Sequence, residues 1–346
     1  MKKFTVIILF LLLILVGCIV GPFRKPFLEA KHYLLADANE KARLHYNWGN
    51  AATDREKYAK ALWHYERAVA LNPAYTKVYY NRGTLRNDLG DYRGAITDFN
   101  RVMELDPKHS SAYNNRAYSK NHLADYKGAL EDTTKAIELD PKSAYAYNNR
   151  GIAKDGLHDY RGAIEDYNQS LLLRPNNAHA YTSRGNAKEE IGDYKGALAD
   201  HTKAIELQPR NAGAYSNRGN VRDSLKDYKG ALEDYDKAIS LSPRFAMAYN
   251  NRGNTKNHLG RYQEAITDFN RALSLSPYFA IAYGNRGFAY LGLGLYEQAL
   301  ADFNQALDLD DSLEKTYRYR AEVKEILGDK QGAGQDRNRA NMLSHR

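Results

Sequence analysis

Apolar and small residues recur at helical spacing in two successive stripes along most of the chain, as residues 178–211 illustrate. One stripe runs through Tyr181, Gly185 and Lys188 at i, i+4 and i+7, and the other through Ala197, His201 and Ala204. Asp193 precedes the second stripe, where a helix N-cap is expected, and Pro209 follows it, where a helix must stop. The pattern therefore predicts two helices joined by a short turn.

The same pattern returns at a fixed interval, which the prolines mark. Seven of the nine prolines are 34 residues apart: Pro73, Pro107, Pro141, Pro175, Pro209, Pro243 and Pro277. With each of these prolines as position 32, repeats begin at 42, 76, 110, 144, 178, 212, 246, 280 and 314. A constant period without insertions indicates an array of identical helical units and argues against two globular domains.

These repeats resemble the tetratricopeptide repeat (TPR). The shared features are an aromatic residue at position 4, Gly at 8, Gly-Asp-Tyr at 15–17, Ala at 20 and 27, and Pro at 32. The resemblance implies an all-α fold, a right-handed superhelical solenoid of about nine helix-turn-helix units. We expect eight units over residues 42–313 and a ninth, capping unit over 314–346, where Lys330 and Arg337 replace aromatic residues.

The first 41 residues have a different character. Lys2 and Lys3 precede an apolar run that ends in Leu-Val-Gly-Cys18, which resembles the bacterial lipobox. The resemblance implies that residues 1–17 are a lipoprotein signal peptide, that Cys18 carries a lipid, and that residues 18–41 form a linker. The alternative is an uncleaved signal anchor over residues 4–23. Either way we expect a protein of the cell envelope, anchored in a membrane and facing away from the cytoplasm, in the outer membrane or periplasm of a two-membrane bacterium.

Two charged positions depart from the family pattern. In repeats two to nine position 7 is Arg and position 23 is Asp, whereas the first repeat has Trp48 and His64 there. Because the two residue types appear and vanish together, we predict structural ion pairs: Arg82 with Asp98, Arg150 with Asp166, Arg218 with Asp234, and Arg252 with Asp268. Asp at position 16 is a rival partner, and a phosphate-binding ladder of arginines is a rival function.

Asparagine recurs at position 6 of the first helix, although it is a poor helix former. The predicted peptide-binding residues are Asn81, Asn115, Asn149, Asn217, Asn251 and Asn285. The series resembles the asparagine ladder in the repeat domain of O-linked N-acetylglucosamine transferase, which implies that the concave face binds the backbone of an extended polypeptide. The alternative is that these amides are solvated or hydrogen-bond to one another.

Composition argues against several classes of function. Residues 1–41 hold six basic and three acidic residues, so three of the eight surplus positive charges belong to the anchor region and the repeats are too mildly basic to indicate nucleic acid. Sixteen of the 28 tyrosines occupy positions 4 and 17, where we expect core packing and not base stacking. The single cysteine and the scattered histidines indicate no metal site, no cofactor and no enzyme.

The sequence thus predicts a membrane-tethered scaffold that binds a protein or peptide partner. The alternative is a structural protein of the envelope that self-associates through an apolar patch at Phe288, Tyr290 and Leu291.

Overall fold

The computed structural model describes residues 33–344, and helices dominate that part of the chain. It divides into two compact units, with the boundary between His158 and Asp159. The N-terminal unit contains α1 (Ala38–Thr53), α2 (Tyr58–Leu71), α3 (Thr76–Asp88), α4 (Tyr92–Leu105), α5 (Ser110–His122), α6 (Tyr126–Leu139) and α7 (Ala144–Gly156).

The C-terminal unit continues with the same alternation. Its helices are α8 (Tyr160–Leu173), α9 (Ala178–Glu190), α10 (Tyr194–Leu207), α11 (Ala212–Ser224), α12 (Tyr228–Leu241), α13 (Ala246–His258), α14 (Tyr262–Leu275), α15 (Ala280–Gly292), α16 (Tyr296–Leu309), α17 (Glu314–Ile326) and α18 (Lys330–Ser344). Within each unit, consecutive helices pack on one another across short turns. Each unit is therefore a stack of successive helices, with the helices of the fourth repeat, α7 and α8, in different units, and the all-α repeat fold is confirmed.

The turn inside each repeat is set by two adjacent positions. At position 15 the backbone is left-handed, as at Gly192 with a φ of 78°. At position 16 six of the nine repeats have an aspartate that caps the second helix; the Asp193 carboxylate, for example, accepts a hydrogen bond from the Gly196 backbone N–H at 2.9 Å. These aspartates act as helix caps, and Asp91 and Asp227 also lie 3.6 and 3.7 Å from the position-11 arginines Arg86 and Arg222.

Inside each unit, the core of a repeat lies between its two helices and the helix that follows. In the N-terminal unit Ala95, Phe99, Val102 and Ala112 form one buried cluster, against which Tyr79 packs half-buried. A Cβ atom at Gly83 would lie 3.0 Å from the Phe99 ring, so position 8 must stay small. The fully buried aromatic rings occupy position 24, whereas the tyrosines at position 4 only edge the core.

The first helix begins earlier than the repeat numbering suggests. Asp37 accepts a hydrogen bond from the Glu40 backbone N–H at 2.8 Å and caps α1, which therefore starts at Ala38 and includes the last four residues of the expected linker. The signal segment, the anchor alternative and Cys18 all lie outside the described residues. Between residues 33 and 344 no helix has both the length and the apolar composition needed to cross a bilayer.

Candidate functional site: the asparagine face

The position-6 asparagines lie on the first helices of their repeats, next to positions 5 and 9; repeats five and nine have Ser183 and Tyr319 at this position instead. We call the surface formed by positions 5, 6 and 9 the asparagine face. In the N-terminal unit the Asn81 amide donates to the Tyr46 hydroxyl at 3.2 Å and to Asn50 Oδ1 at 3.0 Å, both in the preceding repeat. Asn115 donates in the same way to the Tyr80 hydroxyl at 3.2 Å.

Asn149 completes this series in the N-terminal unit. Its amide donates to Asn114 Oδ1 at 2.9 Å, and its side chain is buried, with 7% exposed. In repeats two to four the position-6 amide therefore bonds to the repeat before it.

In the C-terminal unit the amides of Asn217 and Asn251 donate to the position-9 residues Asn186 and Asn220, at 3.2 Å and 2.9 Å. Asn285 donates to Asn250 Oδ1 at 3.1 Å. The amides thus hydrogen-bond to one another between repeats, which is one of the two alternatives that the sequence left open.

These bonds leave part of each amide available. Asn217, Asn251 and Asn285 each use one of their two N–H groups. Among the described residues no donor reaches the Oδ1 atoms of Asn217 and Asn285, whereas Asn251 Oδ1 accepts from Asn250 at 3.0 Å. The face can therefore offer both a donor and an acceptor to a backbone that lies across it.

A pocket of about 430 Å³ opens beside this face in the N-terminal unit. Its walls include Asn50, Asn81, Tyr80, Asp54 and Asp88. Burial raises the pKa of the Asp88 carboxyl above its ordinary value. The pocket is a polar recess that a ligand side chain could enter.

The predicted arginine and aspartate partners are brought together wherever both lie in one unit. Arg82 donates to Asp98 through Nε at 3.0 Å and Nη2 at 2.5 Å. The same two-pronged contact joins Arg218 to Asp234 at 2.9 and 2.7 Å, and Arg252 to Asp268 at 2.9 and 2.5 Å. The hydrogen bond to Asp234 raises the pKa of the Arg218 guanidinium.

Arg150 and Asp166 are placed in different units. Arg150 lies in α7 with its guanidinium 5.4 Å from the centroid of the Tyr147 ring, and Asp166 is buried in α8.

The sequence reasoning missed the other members of this network. A second cation at position 11 reaches the same carboxylate, as Arg222 Nη1 reaches Asp234 at 2.9 Å and Lys256 Nζ reaches Asp268 at 2.7 Å. The arginine also reaches position 25 of the preceding repeat, where Arg252 donates to Asp236 at 2.6 Å. The regular Lys or Arg at position 11 was the signal that could have revealed this. Since their charges are matched inside the fold, these arginines are not free to form a phosphate-binding ladder.

The apolar patch expected at the far end is covered. Phe288 packs against Tyr319 of the next repeat at 4.9 Å between ring centroids, and Tyr290 and Leu291 pack against the cluster of Phe303 and Val323. All three patch residues are half-buried, so they offer little surface for self-association. Within residues 33–344, no group of three or more His, Cys, Asp or Glu side chains is arranged to hold a metal ion.

A stack of helix pairs whose first helices carry an open polar face defines a repeat scaffold for protein-protein interaction. Models of the tetratricopeptide repeat match residues 48–118, 110–143, 148–212, 212–245, 246–279 and 280–313. The chain belongs to the tetratricopeptide repeat family. Members of this family are generally non-catalytic, and no enzyme family is indicated. A comparison with curated proteins finds no match.

Several solved structures share the fold. A tetratricopeptide repeat protein from Parabacteroides merdae is 21% identical over 72% of this chain and 98% of that one, with a TM-score of 0.58. The Cut9-Hcn1 hetero-tetramer of the APC/C is 16% identical over 88% of this chain and 74% of that one, with a TM-score of 0.61. MamA is 28% identical over 51% of this chain and 96% of that one, with a TM-score of 0.43. Because the first two are less than 25% identical, their likeness shows the fold and not the function.

Proposed function

We propose that the protein is a membrane-tethered scaffold whose asparagine face binds an extended polypeptide. The observation that carries the proposal is the set of open amide groups on Asn217, Asn251 and Asn285, which lie at equivalent places on three successive first helices. A side-chain amide can accept from a backbone N–H and donate to a backbone C=O, so this face reads the main chain of a ligand more than its sequence.

The inter-repeat bonds support this function because they hold the amides in place. An asparagine that already donates to a neighbour has lost much of its rotamer freedom, and a ligand does not have to order it again. The pocket beside Asn81 adds a recess for one side chain at one end of the face in the N-terminal unit.

The tether is the second part of the proposal. We infer that lipidated Cys18 or an uncleaved anchor over residues 4–23 holds the repeats at the cell envelope, away from the cytoplasm. Labelling with a clickable fatty acid, and loss of the label in Cys18→Ala, distinguishes the two anchors. A membrane fraction that retains unlabelled wild-type protein supports the signal anchor.

Peptide binding is tested with a display library of random 12-residue peptides, selected on the full chain in an uncharged detergent. The triple variant Asn217→Ala, Asn251→Ala, Asn285→Ala should weaken the selected peptides at least tenfold, since it removes the exposed amides from three adjacent helices. Methylation of the peptide backbone nitrogens should weaken binding in the same way.

The chain offers a matched control. Asn168, Asn270 and Asn304 lie on second helices in the C-terminal unit, and each accepts a hydrogen bond from an arginine. Changing these three to Ala removes as many amides from a different surface and should leave affinity within twofold. If the two triple variants bind equally well, the asparagine face is not the binding site.

A further inference from the structure

The first repeat lacks the ion network of the others. Position 7 is Trp48, position 11 is Ala52 and position 23 is His64, so the arginine, the second cation and the carboxylate are all missing. Because Ala52 is short, a pocket of about 500 Å³ opens between α1 and α2. Its lining includes Trp48, Trp63 and His64 together with three basic side chains.

This pocket carries a concentrated positive charge. Arg55, Lys57 and Lys60 line it, and no acidic side chain does. Among residues 33–344 none of the three has an anionic partner within 4.0 Å. In the other repeats the cations at positions 7 and 11 neutralise a buried aspartate at position 23, whereas these three basic residues lie at positions 14, 16 and 19 and have no such aspartate beside them.

The start of α2 adds hydrogen-bond donors. In α4 the aspartate at position 16, Asp91, accepts from the first-turn backbone N–H of Gly94 at 2.9 Å. In α2 the same position is Lys57, and no side chain caps the helix. The first-turn N–H groups therefore lack the carboxylate that the equivalent helix has, at the end of the helix dipole that attracts anions.

A buried histidine becomes a further donor in the tautomer in which His45 donates to His64 Nδ1 and the His64 proton is on Nε2. His64 lines the pocket with only 7% of its surface exposed. Its Nδ1 lies 3.0 Å from Nδ1 of His45, whose Nε2 is 3.1 Å from the Tyr33 hydroxyl. Nε2 of His64 has no hydrogen-bond partner in the described part of the chain. A polar atom on a buried side chain beside a basic pocket is a position for a ligand oxygen.

We propose that the pocket between α1 and α2 binds a phosphate-bearing anion. Arg55, Lys57 and Lys60 neutralise its charge, His64 Nε2 and the first-turn N–H groups of α2 bind its oxygens, and the two indole rings enclose the group that carries the phosphate. The pocket volume suits a small phosphate ester such as a lipid headgroup. This site is separate from the asparagine face, so either proposal can fail without the other.

The sequence provides a built-in probe, since Trp48 and Trp63 are the only two tryptophans in the chain and both line the pocket. The full chain in an uncharged detergent is titrated with sn-glycerol 3-phosphate and with inorganic phosphate while tryptophan emission is recorded. For the membrane source, the full chain is reconstituted into vesicles of phosphatidylcholine alone or with 30% phosphatidylglycerol, and quenching by brominated acyl chains is measured.

We expect a saturable emission change with glycerol phosphate, or tryptophan quenching that appears only with phosphatidylglycerol. The first result assigns the site to soluble phosphate esters and the second to lipid headgroups. The variant Arg55→Gln, Lys57→Gln, Lys60→Gln should weaken either response at least tenfold. The control Lys127→Gln, Lys195→Gln, Lys229→Gln removes three exposed lysines elsewhere and should change it less than twofold.

Two results would overturn the proposal. One is a tryptophan signal that responds neither to the phosphate compounds nor to phosphatidylglycerol. The other is a response of equal affinity in the two triple variants, because it would show that total charge and not this pocket is responsible.

Discussion

The arginine at position 7 should matter most where its aspartate has no second cation. Asp234 is held by Arg218 and also by Arg222, whereas Asp302 is held by Arg286 alone because position 11 of that repeat is Tyr290. We therefore expect Arg286→Leu to destabilise the protein more than Arg218→Leu does.

The size of each loss of stability depends on which cations remain beside the aspartate after the arginine is removed. Asp302 is 6% exposed, and after Arg286→Leu it has no cation within 4.0 Å in the described residues. An uncompensated buried charge costs about 4 kcal/mol. After Arg218→Leu the Asp234 carboxylate retains Arg222 Nη1 at 2.9 Å, so its charge stays compensated and the net loss is that of one charge-assisted contact, about 2 kcal/mol.

Urea unfolding followed by circular dichroism at 222 nm measures both variants. Since repeat arrays need not unfold in two states, hydrogen exchange of peptides from α11, α12, α15 and α16 locates the loss of stability. A double-mutant cycle tests the role of the second cation. Arg286→Leu should cost about 2 kcal/mol less in the Tyr290→Lys variant than in the wild type, because the new lysine supplies the missing second cation.

Equal unfolding midpoints for Arg286→Leu and Arg218→Leu would refute this reasoning, as would a midpoint for Arg218→Leu unchanged from wild type.

Two further predictions concern other buried polar groups. Burial, with smaller contributions from nearby cations, lowers the pKa of both His45 and His64. Below about pH 6.5 the unfolded chain therefore binds more protons than the folded protein does. The free energy of unfolding should fall as the pH drops through this range. Tryptophan-monitored melts at pH 7.5 and 5.5 check this, and coincident melts would contradict it. Ser119 donates to Asn87 Oδ1 at 2.6 Å, and Ala289 and Asn257 occupy the equivalent positions of later repeats. Ala289→Ser should therefore stabilise the protein by about 0.5 kcal/mol by donating to the unpaired Oδ1 of buried Asn257, whereas the control Ala231→Ser should not.

The helices and the ion pairs could be predicted because each depends on positions within one repeat. A helix needs its own stripe, cap and proline, and Arg218 meets Asp234 only 16 residues further along the chain. The co-occurrence of the two residue types within a single chain was enough to pair them.

Contacts between repeats could not be predicted in the same way, since they depend on how one helix is offset against the next. The Asn251 amide reaches position 9 of the preceding repeat, whereas the Asn285 amide reaches position 5. The burial of Phe288 likewise depends on Tyr319 of the following repeat, which the pattern of one repeat does not place. The pocket in the first repeat forms where Trp48, Ala52 and His64 replace the recurring charged residues. A search for recurring motifs does not detect such a departure from the pattern.

The asparagine face also links binding to stability. Because Asn217, Asn251 and Asn285 join successive repeats through the same amides that are open to a ligand, a bound polypeptide adds contacts along the line of the inter-repeat bonds. A ligand at 100 times its Kd stabilises the folded state by about 2.7 kcal/mol, so a peptide on these asparagines should slow hydrogen exchange in the first helices of the C-terminal unit. A phosphate ester in the pocket of the first repeat should instead slow exchange in α1 and α2. The two ligands would thus leave different patterns of protection, which makes hydrogen exchange the measurement that separates the two proposed sites in one experiment.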